Sequence, residues 1–226
     1  QLPDVLGVSL MLKAVRKVQP GHFVEWQVGR PVPATRAYWE VPACSGEGLP
    51  FEEMVERCDS LLDSAIRRQM VSDVPLGAFL SGGIDSSLIV SSMARASSRP
   101  VKTFSVSFSE GSNEAPIARL VAERLKTDHV EVEAGTIASE QVLETLGLMD
   151  EPLSDPALVP TRLISRIARE HVKVVLSGEG GDEVFGGYPR YFDDGSSAPA
   201  APGVLARSAK ALLDANTLLE ANALFC

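Results

Sequence analysis

Apolar residues at Met54, Val55, Cys58, Leu61, Leu62, Ala65 and Ile66 keep the three-and-four spacing of one helix face, which predicts a helix over 51–69. Acidic residues open this segment and Arg67 and Arg68 close it, in the sense the helix dipole favours. The rhythm then changes. Val74 to Leu80 is a short apolar run that stops at Ser81-Gly82-Gly83, and it reads as a buried strand. Residues 85–96 read as a helix, 101–108 as a β-rich run, 114–126 as a helix and 129–132 as a short strand. Helical spacing returns over 139–148 and 157–170. Another apolar strand, 172–176, ends at Ser177-Gly178-Glu179-Gly180-Gly181-Asp182-Glu183.

Strands alternating with helices predict an α/β fold: a parallel twisted sheet with helices on both faces and right-handed crossovers. Ligands of such sheets bind beyond the carboxyl ends of the strands. Both glycine-rich stretches follow predicted strands. They are therefore expected on the same sheet edge, facing one crevice although about 100 residues separate them.

The flanks have another texture. Residues 1–50 hold Pro3, Pro20, Pro31, Pro33, Pro42 and Pro50, with a turn at Gln19-Pro20-Gly21 and a strand-like alternation from His22 to Val28. Trp26 and Trp39 are expected to anchor packing there. From 193 the chain turns small and flexible through Gly195 to Gly203, and 204–224 reads as Ala- and Leu-rich helix. The expected divisions are thus 1–50, 51–192 and 193–226.

The 226 residues suit one α/β domain with part of another, and the net charge of −9 without a Lys/Arg cluster argues against a nucleic-acid partner. Cys44, Cys58 and Cys226 are scattered and read as unpaired thiols of a reducing compartment. No apolar run reaches membrane-spanning length and no signal peptide is visible, so the expectation is a cytoplasmic protein without a membrane partner. His22, His129 and His171 read as structural or surface groups.

The chemistry lies in the two glycine-rich stretches. Gly82 and Gly83 let the backbone turn sharply and approach a ligand, and the helix that follows offers unpaired N–H groups with the positive end of its dipole. Ser81, Ser86 and Ser87 add hydroxyls, and the whole is an anion cradle suited to phosphate. Asp85 would repel phosphate unless it is a Mg²⁺ partner or a helix cap. The stretch is neither a Walker A loop nor GxGxxG. In Ser177 to Tyr188, five glycines are interleaved with three acids, which suits Mg²⁺ bridging phosphates, or orientation and deprotonation of a nucleophile.

Ser81-Gly82-Gly83-Ile84-Asp85-Ser86-Ser87 resembles the pyrophosphate loop of the ATP pyrophosphatases. With Ser72 to Gly77, Thr103-Phe104-Ser105-Val106, Asp128-His129, Asp150-Glu151-Pro152 through Pro160-Thr161, and the Ser177–Tyr188 string, residues 55–192 resemble the synthetase domain of glutamine-dependent asparagine synthetases. The resemblance implies the adenine-nucleotide α-hydrolase-like form of the parallel fold. It implies that Leu80 and Val106 contact adenosine, that Ser81, Gly82, Gly83, Asp85 and Ser86 hold pyrophosphate oxygens and Mg²⁺, and that Ser177 and Gly178 line the nucleotide pocket. Glu179 then matches an acid needed to form a β-aspartyl adenylate, and Asp182 a Mg²⁺ or phosphate-site partner. The implied reaction uses ATP, aspartate and ammonia, releases pyrophosphate and AMP, and pairs with a glutaminase domain upstream; a homodimer is compatible with the sequence, which does not set the oligomeric state.

Two departures qualify the resemblance. The family's glutaminase begins with a nucleophilic cysteine, whereas this chain starts Gln1-Leu2-Pro3 and is expected not to hydrolyse glutamine. The family's later helical segment has no match in 193–226, which leaves turnover by this chain open. Alternatives are a nucleotide-binding fragment without turnover, or a related amide-forming enzyme such as a β-lactam synthetase.

Overall fold

The computed structural model describes residues 15–29, 34–42, 48–108, 114–149, 155 and 157–188. The expected 193–226 segment lies outside the described residues. The chain separates into two compact units, 1–48 and 49–226. In the first, β1 (His22–Glu25) pairs antiparallel with β2 (Ala34–Ala37), His22 opposite Ala37 and Glu25 opposite Ala34. The sequence pattern predicts only the first of these strands, because Pro31 and Pro33 mask the second. Trp26 and Trp39 do not anchor a core: both are exposed.

The second unit runs α1 (Phe51–Gln69), β3 (Leu76–Phe79), α2 (Ile84–Ala96), β4 (Lys102–Phe108), α3 (Ala115–Leu125), β5 (Asp128–Gly135), α4 (Ser139–Leu146), α5 (Leu158–His171), β6 (Val174–Leu176) and α6 (Gly181–Phe185). The four strands form one parallel sheet in the order β5-β4-β3-β6. Neighbouring residues of a strand point to opposite faces, and the core follows that alternation. Ala78 and Leu80 pack with Ile66 of α1, Val90 and Met93 of α2, and Ala118, Val121 and Ala122 of α3. Phe79 and Phe104 pack on the other side with Ile164 and Ala168 of α5 and Val172 beyond it. Helices therefore cover both faces, as the alternating pattern predicts. Among the described residues no helix is long and apolar enough to cross a membrane.

Two polar networks hold this frame. His129 lies between Thr103 and Ser105, its Nδ1 2.9 Å from Thr103 Oγ1 and its Nε2 3.1 Å from Ser105 Oγ, while Thr103 also bonds Thr127. Burial lowers the His129 pKa, so a neutral ring bridges β4 and β5. Asp63 joins α1 to α2. It accepts from Arg67 Nε at 2.6 Å, Ser92 Oγ at 2.6 Å and Arg95 Nη2 at 3.3 Å. The Arg67 and Ser92 hydrogen bonds hold its pKa down at about 2.

A depressed carboxylate pKa contributes stability above the unfolded value, about 4, and loses it as pH falls through the folded one. Chain stability is therefore expected to fall between about pH 4 and about pH 2 by an amount that Asp63→Asn removes, with Asp63→Asn the less stable chain at neutral pH. Thermal melting of both chains across that range checks it; parallel pH profiles would count against the network.

Candidate functional site

The strand order reverses at β3: β4 and β5 lie on one side, and β6, reached last, lies on the other. The carboxyl ends of β3 and β6 thus flank a switch-point crevice, where open parallel sheets bind their ligands. Both glycine-rich stretches begin there. Leu80 N–H donates to Phe104 C=O at 2.8 Å, which fixes the end of β3, and the Leu80 side chain, 1% exposed, belongs to the core. What Leu80 offers a ligand is backbone. Val106, half-buried, lies two residues past Phe104, the partner of Phe79, and so stands level with Ser81.

The loop from Ser81 is braced from within. A Cβ at the buried Gly82 would lie 2.9 Å from both Glu114 O and Ile117 Cβ, so the loop runs flush against the start of α3. Ser86 Oγ sits 2.9 Å from Ser81 Oγ and 3.2 Å from Gly83 O; it also accepts from Ser81 N–H at 3.2 Å. Ser81 Oγ accepts from Gly83 N–H at 3.1 Å, and Ser87 Oγ donates to Gly83 C=O at 2.7 Å. Ser86 and Ser87 are buried. Their hydroxyls act as struts of the loop. The donors left for an anion are the backbone N–H groups of the first turn of α2, whose N-cap is Gly83 with no side-chain cap. Asp85 is inside the helix, so the helix-cap reading of Asp85 gives way.

The second stretch closes on the first. A Cβ at Gly178 would lie 2.9 Å from Ser86 N and 3.0 Å from Asp85 Cβ. One at Gly181 would fall on the Asp85 carboxylate. Glycine at these two positions is thus what lets the β6 loop touch the first turn of α2. Gly180 takes φ +92° to start α6, whose Gly181 N–H bonds Gly178 C=O at 3.2 Å. Burial raises the pKa of Asp85, and the nearby Asp182 and Glu183 raise it further.

Ser81, Gly82, Gly83, Asp85, Ser86, Ser177, Gly178 and Asp182 therefore gather at one crevice, with Val106 at the neighbouring strand end. Glu179 is exposed beside the half-buried Gly178. Gly181, Glu183 and Tyr188 carry contacts that the sequence reading left without a role. The adjacent glycines before Asp182 were the available signal for close approach. Among the described residues no group of three or more His, Cys, Asp or Glu could hold a metal by protein ligands alone.

A parallel α/β domain with a braced glycine loop and an acidic loop meeting at its switch point is the class that fold and site define. The Asn_synthase family model, described as asparagine synthase, matches residues 57–225, running on past 193 where the motifs legible in the sequence stop, and the chain belongs to that family. It is 42% identical over 146 residues to asparagine synthetase [glutamine-hydrolyzing] 1 of Bacillus subtilis, covering 62% of this chain and 22% of the relative. It is 35% identical over 188 residues to asparagine synthetase [glutamine-hydrolyzing] 1 of Arabidopsis thaliana, covering 75% and 30%. With the asparagine synthetase [glutamine-hydrolyzing] of Brassica oleracea it shares 37% identity over 169 residues, covering 66% and 28%. The chain thus spans under a third of the length of these relatives.

Proposed function

We propose that the switch-point crevice binds ATP and that this chain carries the ATP-dependent step of asparagine synthesis, as an AMP-forming, carbon–nitrogen bond-forming ligase. The observation that carries the reading is the close approach of Gly178 to the first turn of α2, which brings the two motifs together at the carboxyl ends of β3 and β6. The backbone N–H groups after Gly83 take the pyrophosphate oxygens, and Ser177, Gly178, Val106 and the Leu80 backbone line the rest of the nucleotide pocket. The aspartate side-chain carboxylate attacks the α-phosphorus, pyrophosphate leaves, and ammonia displaces AMP from the acyl adenylate to give asparagine. Glu179 acts on the reacting groups from the exposed side of the crevice. The relatives' names include glutamine hydrolysis, and a glutaminase domain upstream would supply the ammonia.

The residues present fit a divalent cation. Asp85 is half-buried beside two other carboxylates, an arrangement that a cation relieves. Asp85 and Asp182 would hold Mg²⁺ together with phosphate oxygens. When bound, Mg²⁺ lowers the charge on the phosphates.

Calorimetric titration with ATP·Mg²⁺ tests binding, and pyrophosphate release with aspartate and ammonium tests turnover. Saturable binding with aspartate-dependent release is expected. Binding without release identifies a nucleotide-binding domain, release without aspartate dependence identifies a different acceptor, and no binding ends the reading.

A further inference from the structure

α6 is the part of the crevice that packing holds least. It has five residues and none is buried; Val184 and Phe185 are 74% and 44% exposed. A lone turn of helix does not sustain itself. Electrostatics also oppose its position. Gly181 abuts the Asp85 carboxylate, and Asp182 and Glu183 both act on Asp85 as like charges.

Something must offset that repulsion, and two contacts past the helix do. Gly186 takes φ +69° and turns the chain back, and Gly187 N–H then donates to Asp182 C=O at 2.9 Å. A Cβ at Gly187 would fall on the Asp182 carboxylate, so any larger residue there would push that carboxylate aside. The same turn brings the Tyr188 hydroxyl back over five residues to donate to Glu183 Oε1 at 2.8 Å. A neutral donor on Glu183 disperses part of its charge and fixes the outer side of the short helix.

We propose that Tyr188 is a positioning residue: through Glu183 it latches α6, and so Asp182, against the first turn of α2. Tyr188 acts through another side chain and needs no contact with the nucleotide. The effect on ligand affinity rests on the ATP-site reading above; the latch itself does not.

The test compares Tyr188→Phe, Glu183→Gln, Glu183→Ala and the double variant Tyr188→Phe/Glu183→Ala in the 226-residue chain. Exchange of the Val184 and Gly187 amides, resolved by NMR without nucleotide, reads the latch. Calorimetry with ATP·Mg²⁺ reads its consequence. Tyr188→Phe keeps the ring and removes only the donor. It is expected to speed exchange at both amides and to weaken ATP·Mg²⁺ binding about three- to tenfold, the range for a typical net intramolecular hydrogen bond. Glu183→Gln, whose amide oxygen still accepts, is expected to keep slow exchange. Tyr188→Phe should add nothing in the Glu183→Ala background. Unchanged exchange in Tyr188→Phe, or additive effects in the double variant, overturns the latch. Failure of the unsubstituted chain to bind ATP overturns the nucleotide reading instead and leaves the exchange result to decide the latch.

Discussion

Glu179→Ala is expected to leave the chain folded and ATP·Mg²⁺ bound while pyrophosphate release with aspartate falls by about 10²–10⁴-fold, the span for loss of a positioned acid or base. The separation of effects follows from where Glu179 sits. It is exposed between the half-buried Gly178 and the left-handed Gly180, with its side chain outside both core clusters. Exposed side chains removed from such features change stability by within roughly 0.5 kcal/mol. The proposed phosphate cradle is built from backbone N–H groups of α2 and does not depend on it. Glu179→Gln divides the roles further, because the amide can still hydrogen-bond but cannot take a proton or carry charge. Melting curves, calorimetry and a pyrophosphate assay on the 226-residue chain check all three parts. Pyrophosphate release equal to that of the unsubstituted chain would remove Glu179 from the reaction.

The frame of this site was legible because it is written in long periodic segments. The stripe from Met54 to Ile66 predicts α1 to its observed bounds of Phe51–Gln69. The apolar runs before Ser81 and before Ser177 mark the two strands whose ends flank the crevice. That these two strands are neighbours is a topological fact with no local signal. Only the shared rule that ligands bind at carboxyl ends brought the motifs together in advance.

What escaped the sequence is of two kinds. α6 and β2 are short, at five and four residues, and sit among glycines or prolines that obscure any period. Side-chain direction is the other. Ser86 and Ser87 carry donors that a phosphate loop could use, and composition cannot tell that both turn inward onto Gly83 C=O. Leu80 likewise stands next to the loop but spends its side chain on the core with Val90 and Met93. Gly178 and Gly181 stood in the sequence only as glycines interleaved with acids; the structure adds their contact with Asp85.

That contact makes Asp85→Asn the substitution with opposite effects on stability and on ligand. The Asp85 carboxyl is pushed above the ordinary carboxylate range, first by burial and then by Asp182 and Glu183. A group whose pKa is raised on folding contributes full stability below its unfolded value, and loses it as pH rises through the folded value. At neutral pH the charged Asp85 therefore costs the ligand-free chain stability. Asn has nearly the same shape and no charge, so Asp85→Asn should raise the melting temperature at pH 7, at roughly 2–4 °C per kcal/mol, and the gain should vanish near pH 3. Binding should move the other way. A cation held with phosphate oxygens loses a charged ligand, and about 10²-fold or more of ATP·Mg²⁺ affinity should go with it, about 3 kcal/mol by the tenfold-per-1.4 rule. Melting with and without ATP·Mg²⁺ at the two pH values reads both effects, since a ligand that binds only the folded chain raises the midpoint. A variant that is both more stable alone and no longer stabilised by ATP·Mg²⁺ would show that the charge at Asp85 is kept for the ligand at the expense of the fold. A variant that melts lower at pH 7, or that still gains fully from ATP·Mg²⁺, would mean that Asp85 is a structural carboxylate.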